Sequence, residues 1–392
     1  MATTESATTG APAPAAAASP ADQLSALGSS PRALMVRKLI DIIVLPAARL
    51  SANERSLAAD ILLQVADKVD EALRAEIARR VARVPEVPPA LIRMLLLDEP
   101  DVAGRLIQGA DYLPEALLIE AAQASQTAHR LMISRRLNLT TAVADVLISF
   151  NEPEVARQLL RREDFTLSPR AVDILVSRST TDKELQALLL RRRELEPAHG
   201  FMMFWWVDAE RRRRILSRFA LDRSVIQDAL DDLYPRVFRS EAPDPVVKEI
   251  LVMLDRRTRP RGVNGEQVSM DVVKRTIAAA RHYPAQEIVH AVGMIAGVSH
   301  ELAARILRDP GGEPYAILCK ALGVPRDDYF AFISGDDQET DGAVTPARAE
   351  ELLGVFDSMS RDFSRAVLRY WDWEGNPRIS GITQLLAADE VK

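Results

Sequence analysis

A pattern that recurs six times between residues 73 and 233 limits what this chain can fold into. Each repeat has an apolar helix-forming segment, a short turn, a residue that favours helix initiation and a second apolar segment. The repeats begin 26 to 30 residues apart, at Leu73, Val102, Ala128, Val155, Leu185 and Arg212. Because one amphipathic helix pair cannot bury its own apolar face, the pattern predicts an α-solenoid in which successive pairs stack.

One large apolar residue of each repeat should be buried, because it lies one helical turn after the repeat begins. The six residues are Ile77, Leu106, Met132, Leu159, Leu189 and Leu216. The second helices should begin at residue types that favour helix N-termini, near Pro88, Pro114, Thr140, Ser168, Pro197 and Asp222. Any antiparallel helical domain has a similar periodicity, but six consecutive recurrences of helix, turn and cap favour the repeat.

The rest of the chain divides by composition. Residues 1–30 are mainly Ala, Thr, Ser and Pro, with too few large apolar side chains to stabilise a fold, so we expect a disordered tail. Residues 31–233 should form the solenoid, 234–245 a linker, 246–375 a second all-helical region and 376–392 a weakly ordered tail. No segment alternates apolar and polar residues as a half-buried strand does. The predicted fold class is therefore all-α.

Charge and cysteine content favour a cytoplasmic protein. The net charge is −6, with +3 on residues 73–223 and −7 on residues 224–392, so nothing indicates attraction to nucleic acid or to a membrane. The single Cys319 excludes an internal disulfide and a cysteine-based zinc site, and its apolar neighbours indicate a buried thiol. One cysteine and no secretion signal fit a reducing compartment.

Two stretches resemble a known family. They are LRAEIARRVARVPEVPPALIRMLLLDEPDVA from Leu73 onwards and LRDPGGEPYAILCKALGVPRDDYFAFI at residues 307–333, in which DPGG followed by CKALG is the most specific part. Together with the intervening repeats they resemble the domain-of-unknown-function family DUF2336, seen chiefly in alphaproteobacteria, over about residues 70–335. The resemblance implies a HEAT-like helical-repeat protein of a bacterial cytoplasm. The family has no established activity, so it contributes no catalytic residues.

Motifs of catalysis and cofactor binding are missing from the sequence. It has no GxxxxGK[ST], GxSxG or HExxH, so we predict no catalytic residue and no cofactor. His282 and His290 are eight residues apart, but Pro284 interrupts a helix between them, which argues against a shared metal. The loop at residues 337–342 resembles the start of an EF-hand, yet its twelfth position is Arg348 instead of glutamate, so no metal site is predicted.

Two clusters have both a structural and a functional interpretation. In DPGGEP, at residues 309–314, the glycine amides could hold an anion, although such a turn more often reverses a helical hairpin. Trp205, Trp206 and Asp208 could form an aromatic and acidic groove like that of helical-repeat DNA glycosylases, but this is an analogy at the level of the fold, and FMMFWW is more simply the core of a large second helix.

Arginines at the end of the first helices are the remaining signal: Arg79, Arg80, Arg135, Arg161, Arg162, Arg191, Arg192 and Arg218. Cations at a helix C-terminus interact favourably with its dipole, which accounts for much of the pattern. Repetition would also align them along one edge of the solenoid, where guanidinium groups suit carboxylates or phosphates. Acids such as Glu163 and Glu194 interrupt the arginines and would repel a phosphate backbone.

We therefore predict a non-enzymatic cytoplasmic scaffold or adaptor that binds a protein partner at this arginine edge. A nucleic-acid-binding repeat protein is the alternative, and a glycosylase-like or other hydrolase is the third hypothesis. The partner's identity and the oligomeric state stay open.

Overall fold

The computed structural model describes residues 31–45, 51–66, 68–84, 87–220, 266–282, 285–334 and 344–372, besides the isolated residues 49, 245, 382 and 384. The described residues form twenty α-helices and no β-strand, so the all-α prediction is confirmed. They belong to two compact units, Met1–Leu147 and Ile148–Lys392. The predicted tails, the linker at 234–245 and the helix start near Asp222 lie outside the described residues, apart from three isolated positions, and stay predictions.

The first unit is built from helix pairs. Its helices are α1 Pro31–Ile43, α2 Ala52–Ala66, α3 Glu71–Val81, α4 Pro89–Leu96, α5 Pro100–Gly109, α6 Glu115–Ala124, α7 Thr127–Ser134 and α8 Thr141–Ser149, which runs into the second unit. First helices of successive pairs contact each other, α3 with α5 and α5 with α7, while α4 contacts both α2 and α6. Such nearest-neighbour contacts are typical of stacked repeats.

The second unit also contains helix pairs, followed by a C-terminal set of helices. Its helices are α9 Pro153–Leu160, α10 Pro169–Arg178, α11 Lys183–Leu189, α12 Pro197–Met203, α13 Ala209–Ala220, α14 Met270–His282, α15 Gln286–Ala296, α16 His300–Arg308, α17 Glu313–Leu322, α18 Arg326–Ser334, α19 Pro346–Ser358 and α20 Arg361–Trp371. α9 contacts α11, and α10 contacts α12. α20 packs along both α12 and α17, and nine of the ten residues of α17 are buried. Apolar burial on α17 therefore holds the C-terminal set together.

Burial follows the repeat register with one correction. Most first helices bury two adjacent positions and two more one turn later, as Val155/Ala156 and Leu159/Leu160 do in α9. In α3 and α13 one residue of the first pair, Arg74 or Arg211, is only half-buried. Five of the six residues predicted to be buried are so, but Met132 is only half-buried and Ile133 is buried in its place. The register of the third repeat was wrong by one residue because its first two buried positions hold polar residues, His129 and Arg130.

The local signals for helix ends agree with the structure. Every described second helix begins within one residue of its predicted start. The Ser168 hydroxyl accepts a hydrogen bond from the Ala171 amide at 3.1 Å, which satisfies one of the amides left over at the start of α10. None of the helices within the described ranges is both apolar enough and long enough to span a membrane.

Candidate functional site

A polar residue recurs at one inward-facing position of the first helices: Arg130, Gln186 and Arg212 are buried there, and Arg74 is half-buried. Its side chain reaches carbonyl groups at the end of the preceding helix. Arg130 donates to the Ala122 and Ser125 carbonyls at 3.0 and 2.6 Å, and Gln186 donates to the Ser179 carbonyl at 2.8 Å. These carbonyls have no partner within their own helix. The recurrent polar residue therefore caps a helix from the next one along the chain.

Arg192, one of the arginines predicted to bind a partner, is a structural brace. Its exposed fraction is only 5%. The guanidinium donates to the Phe165 carbonyl at 3.1 Å, to the Arg162 carbonyl and to Glu194 Oε1 at 2.6 Å. Arg192 therefore ties the turn that follows α11 to the turn that follows α9.

Arg218 and Arg136 have the same role elsewhere. Arg218 donates to the Leu190 carbonyl at 3.1 Å and to the Leu195 carbonyl at 3.0 Å, both in the turn of the preceding pair. In the first unit, Arg136 donates to the Ile107 carbonyl at the end of α5. Part of the arginine pattern therefore links successive helix pairs, and its members cannot be counted as a binding surface.

The remaining predicted arginines are more accessible. In the first unit Arg79 and Arg135 are exposed, while Arg80 forms an ion pair with Asp41 at 2.5 Å. In the second unit Arg162 pairs with Asp164 at 2.5 Å, and Arg161 and Arg191 are exposed. A single edge running through all eight arginines stays a prediction, because they belong to two units.

A groove in the second unit brings several of these residues together. It lies between the turn after α9 and the turn after α11 and has a volume of about 350 Å³. Its lining consists of Leu160, Arg161, Glu163, Leu188, Arg191, Arg192, Arg193 and Glu194. Four arginines and two glutamates give these residues a net charge of +2. We call this feature the arginine groove.

The charged side chains of the arginine groove differ in how many hydrogen bonds and ion pairs they form. Burial would raise the pKa of the Glu194 carboxyl, but hydrogen bonds from the Leu167 amide and from Arg192 outweigh it and hold that pKa below its usual value. In contrast, the exposed side chains of Arg191 and Arg193 have no hydrogen-bond or ion-pair partner among the described residues. Arg161 pairs with Glu184, which also pairs with Arg157.

Arg193 is the groove residue that the sequence interpretation missed. It belongs to the run Arg191–Arg192–Arg193, in which the structure buries the middle arginine and exposes the outer two. The run itself was visible in the sequence. Which of its members points away from the protein depends on how the turn after α11 is braced.

The DPGGEP motif holds a buried ion cluster. Arg212 donates to both carboxylate oxygens of Asp309 at 2.7 and 2.8 Å and to Glu313 Oε2 at 2.9 Å. Arg348 pairs with the other oxygen of Glu313 and donates to the Gly311 carbonyl at 2.6 Å. The exposed fractions of the Asp309 and Glu313 side chains are 7% and 1%. These four charged residues connect α13, α17 and α19.

The glycines of this motif bind a carboxylate of the ion cluster and not an external anion. The Gly311 and Gly312 amides donate to Asp309 Oδ2 at 2.9 and 3.0 Å, so the anion that they bind belongs to the chain itself. A Cβ atom on Gly311 would lie 2.5 Å from an Arg212 nitrogen. Gly312 has φ +83°, a conformation that favours glycine. The structure therefore favours the interpretation of DPGGEP as the turn of a helical hairpin, here between α16 and α17, over a site for an external anion.

The aromatic and acidic residues considered for a glycosylase-like groove have separate structural contacts. The Arg305 guanidinium lies 4.3 Å from the centre of the Trp205 ring. Trp206 donates to the Ser179 hydroxyl at 3.1 Å. Asp208 accepts a hydrogen bond at 2.9 Å from the amide three residues later and so caps α13. Packing and capping account for all three.

The described residues give little support to a metal site or to a reactive cysteine. Across the described ranges, no group of three or more His, Cys, Asp and Glu side chains could hold a metal ion. Residues 337–342, considered for calcium, lie outside those ranges. Cys319 is buried as predicted, and burial raises the pKa of its thiol, which disfavours the nucleophilic thiolate.

The class of protein follows from these observations: an all-α chain with repeated helix pairs and a C-terminal helical set. A family model for DUF2336, an uncharacterised protein conserved in bacteria, matches residues 102–369, so the chain belongs to that family. The match includes both the arginine groove and the ion cluster. No curated protein and no solved structure matches the chain. Restriction to alphaproteobacteria and a HEAT-like classification stay expectations.

Proposed function

We propose that this protein is a non-enzymatic cytoplasmic scaffold or adaptor that binds a protein partner at the arginine groove. The observation that supports the proposal best is a pair of exposed arginines, Arg191 and Arg193, on either side of the buried brace Arg192. Their side chains have no hydrogen-bond or ion-pair partner in the part of the chain that the structure describes. The brace fixes the turn that presents them, so less conformational entropy is lost when a partner binds. Arginine is also enriched at the energetically important positions of protein interfaces.

The charge of the groove favours a protein over a nucleic acid. A nucleic-acid site gains its affinity by neutralising several phosphates with closely spaced cations. Here Glu163 and Glu194 lie among the arginines and leave a net charge of only +2. A mixed lining of this kind suits a protein surface that carries both signs of charge.

Site-specific crosslinking tests the proposal. Leu188 lines the groove and is half-buried, so a photoreactive amino acid placed there would report on whatever occupies the groove in cells. We expect a discrete adduct that contains a second protein. Mass spectrometry would identify it.

Two matched variants make the test specific. The groove variant combines Arg161→Ala, Arg191→Ala and Arg193→Ala, and it leaves the bracing Arg162 and Arg192 in place. The control variant removes three other exposed arginines of the same unit, as Arg170→Ala, Arg213→Ala and Arg214→Ala. Both lose the same charge. We expect the adduct to disappear only in the groove variant.

Two results would contradict the proposal. One is equal crosslinking in both variants, because the arginines would then have no role. The other is micromolar binding of duplex DNA or RNA at physiological salt that the groove variant abolishes, which would favour the nucleic-acid alternative.

A further inference from the structure

The cations of the arginine groove differ in their availability to a ligand. Arg192 already donates to two carbonyls and to Glu194, so it has little capacity for a further anion. Arg161 shares Glu184 with another arginine and is exposed, so its ion pair contributes little and exchanges readily. Arg191 and Arg193 have no such pairing among the described residues. An incoming anion therefore has two to three guanidinium groups to bind.

The acids of the groove indicate which anion fits. Glu194 is held in its charged form by Arg192 and by the Leu167 amide. The exposed Glu163 adds a second negative charge at the rim. Exposed guanidinium groups can bind a carboxylate through two parallel hydrogen bonds, and the two glutamates limit the net positive charge of the lining to +2. The lining therefore suits singly charged carboxylates, and phosphate is the competing ligand that the test below includes.

The groove also has apolar surface. Leu160 and Leu188 belong to its lining, and Leu188 is only half-buried. A ligand side chain that covered Leu188 would remove this apolar surface from water. The volume of about 350 Å³ is at the lower end of ligand-binding pockets and is large enough for a few side chains.

We propose that the groove binds an acidic segment of the partner, in which Asp or Glu carboxylates contact Arg191, Arg193 and Arg161 while a neighbouring apolar side chain packs on Leu188. This proposal rests on the protein-binding function proposed above. It adds the chemistry by which the partner is recognised: carboxylates next to an apolar residue, in a short linear segment.

Fluorescence anisotropy with synthetic peptides tests it on the full chain. The probe is a fluorescein-labelled peptide of glutamates with leucines between them. The first control replaces each glutamate by glutamine, and the second replaces the glutamates by phosphoserine. We expect the glutamate peptide to bind at least about tenfold more tightly than either control, which corresponds to about 1.4 kcal/mol of binding free energy.

Variants assign the binding to the groove. Arg191→Ala with Arg193→Ala should weaken the glutamate peptide about tenfold or more, and added salt should weaken its binding to the wild type. Arg213→Ala with Arg214→Ala removes the same charge from exposed positions outside the groove and should leave binding unchanged. Leu188→Asp should weaken binding through loss of the apolar contact and repulsion of the carboxylates.

The outcomes separate this inference from the proposed function. Equal binding of the glutamine peptide, or tighter binding of the phosphoserine peptide, would overturn the carboxylate proposal. Lack of peptide binding, with a protein still crosslinked at Leu188, would also overturn it but leave the scaffold function in place. Lack of both would overturn the two proposals together.

Discussion

Replacement of Arg212 by methionine should destabilise the second unit strongly. The Arg212 side chain is 9% exposed, and it donates to Asp309, to Glu313 and to the Phe204 carbonyl. With Arg348, the two arginines and two carboxylates form a cluster with no net charge. Arg212→Met leaves an uncompensated negative charge in a region that water barely reaches.

The size of the effect follows from this burial. Removing one partner of a buried ion pair costs about 3–5 kcal/mol, because the other charge stays buried without compensation. Solvent screening reduces this value little here, since the Asp309 and Glu313 side chains are 7% and 1% exposed. The same substitution also removes the bond to the Phe204 carbonyl, which contributes about 1 kcal/mol. We therefore expect Arg212→Met to lower the free energy of unfolding by an amount in the upper part of this range, about 4–5 kcal/mol.

Urea unfolding followed by tryptophan fluorescence measures the change in the free energy of unfolding of the second unit, to which Arg212 belongs. The four tryptophans of the chain, Trp205, Trp206, Trp371 and Trp373, all follow residue 148, at which the second unit begins. The matched control is Arg213→Met, an exposed neighbour, which should change the free energy of unfolding by less than about 0.5 kcal/mol.

A double-mutant cycle distinguishes the ion pair from general disruption. Asp309→Asn removes the negative charge while its remaining carbonyl oxygen can still accept from the Gly311 and Gly312 amides. We expect the double variant to be more stable than the sum of the single effects by at least about 1 kcal/mol. Additive effects, or a cost of Arg212→Met no larger than that of Arg213→Met, would refute the reasoning.

Three more predictions can be checked in the same assay. Leu159→Ala should cost about 2–5 kcal/mol because Leu159 is fully buried, and a cost near zero would contradict the repeat register. Arg192→Met should lower the free energy of unfolding by about 2 kcal/mol or more through unsatisfied carbonyls, whereas Arg191→Met should leave it within about 0.5 kcal/mol. Glu194 has a lowered pKa, so its contribution is complete above the pKa of the unfolded state, about 4.3, and is lost as the pH falls through the folded value. The stability difference between wild type and Glu194→Gln should therefore shrink on acidification, and a constant difference would contradict this.

The helices and most of the buried positions could be predicted because burial leaves a periodic trace in the sequence. The apolar periodicity wrongly indicates Met132 as the buried residue of the third repeat, because polar residues, His129 and Arg130, occupy buried positions there. Arg130 is tolerated there because its guanidinium reaches two helix-terminal carbonyls, and His129 lies 2.8 Å from the Asp98 carbonyl. Hydrophobicity alone cannot recognise a buried position that a polar residue fills in this way.

The candidate site was predictable only in part. The arginines stood out in the sequence. Arg191 and Arg192, however, are adjacent and have opposite roles, because the path of the turn exposes one side chain and buries the other. The partners of Arg212 are 97 and 101 residues away, and no local pattern specifies a contact at that distance. The interpretation of DPGGEP was ambiguous for the same reason, because the residue that neutralises it belongs to another part of the chain.

The two kinds of arginine contact also differ in how soon they can form during folding. The bonds from Arg192 and Arg218 to backbone carbonyls span 23 to 30 residues, whereas those from Arg212 to Asp309 span 97. Closing the longer loop costs roughly 1 kcal/mol more in chain entropy. The helix pairs can therefore brace one another early, along the chain and in any order. We expect the C-terminal helices to dock after the helix pairs have formed, because the contacts of Asp309 and Glu313 with Arg212 close the longer loop.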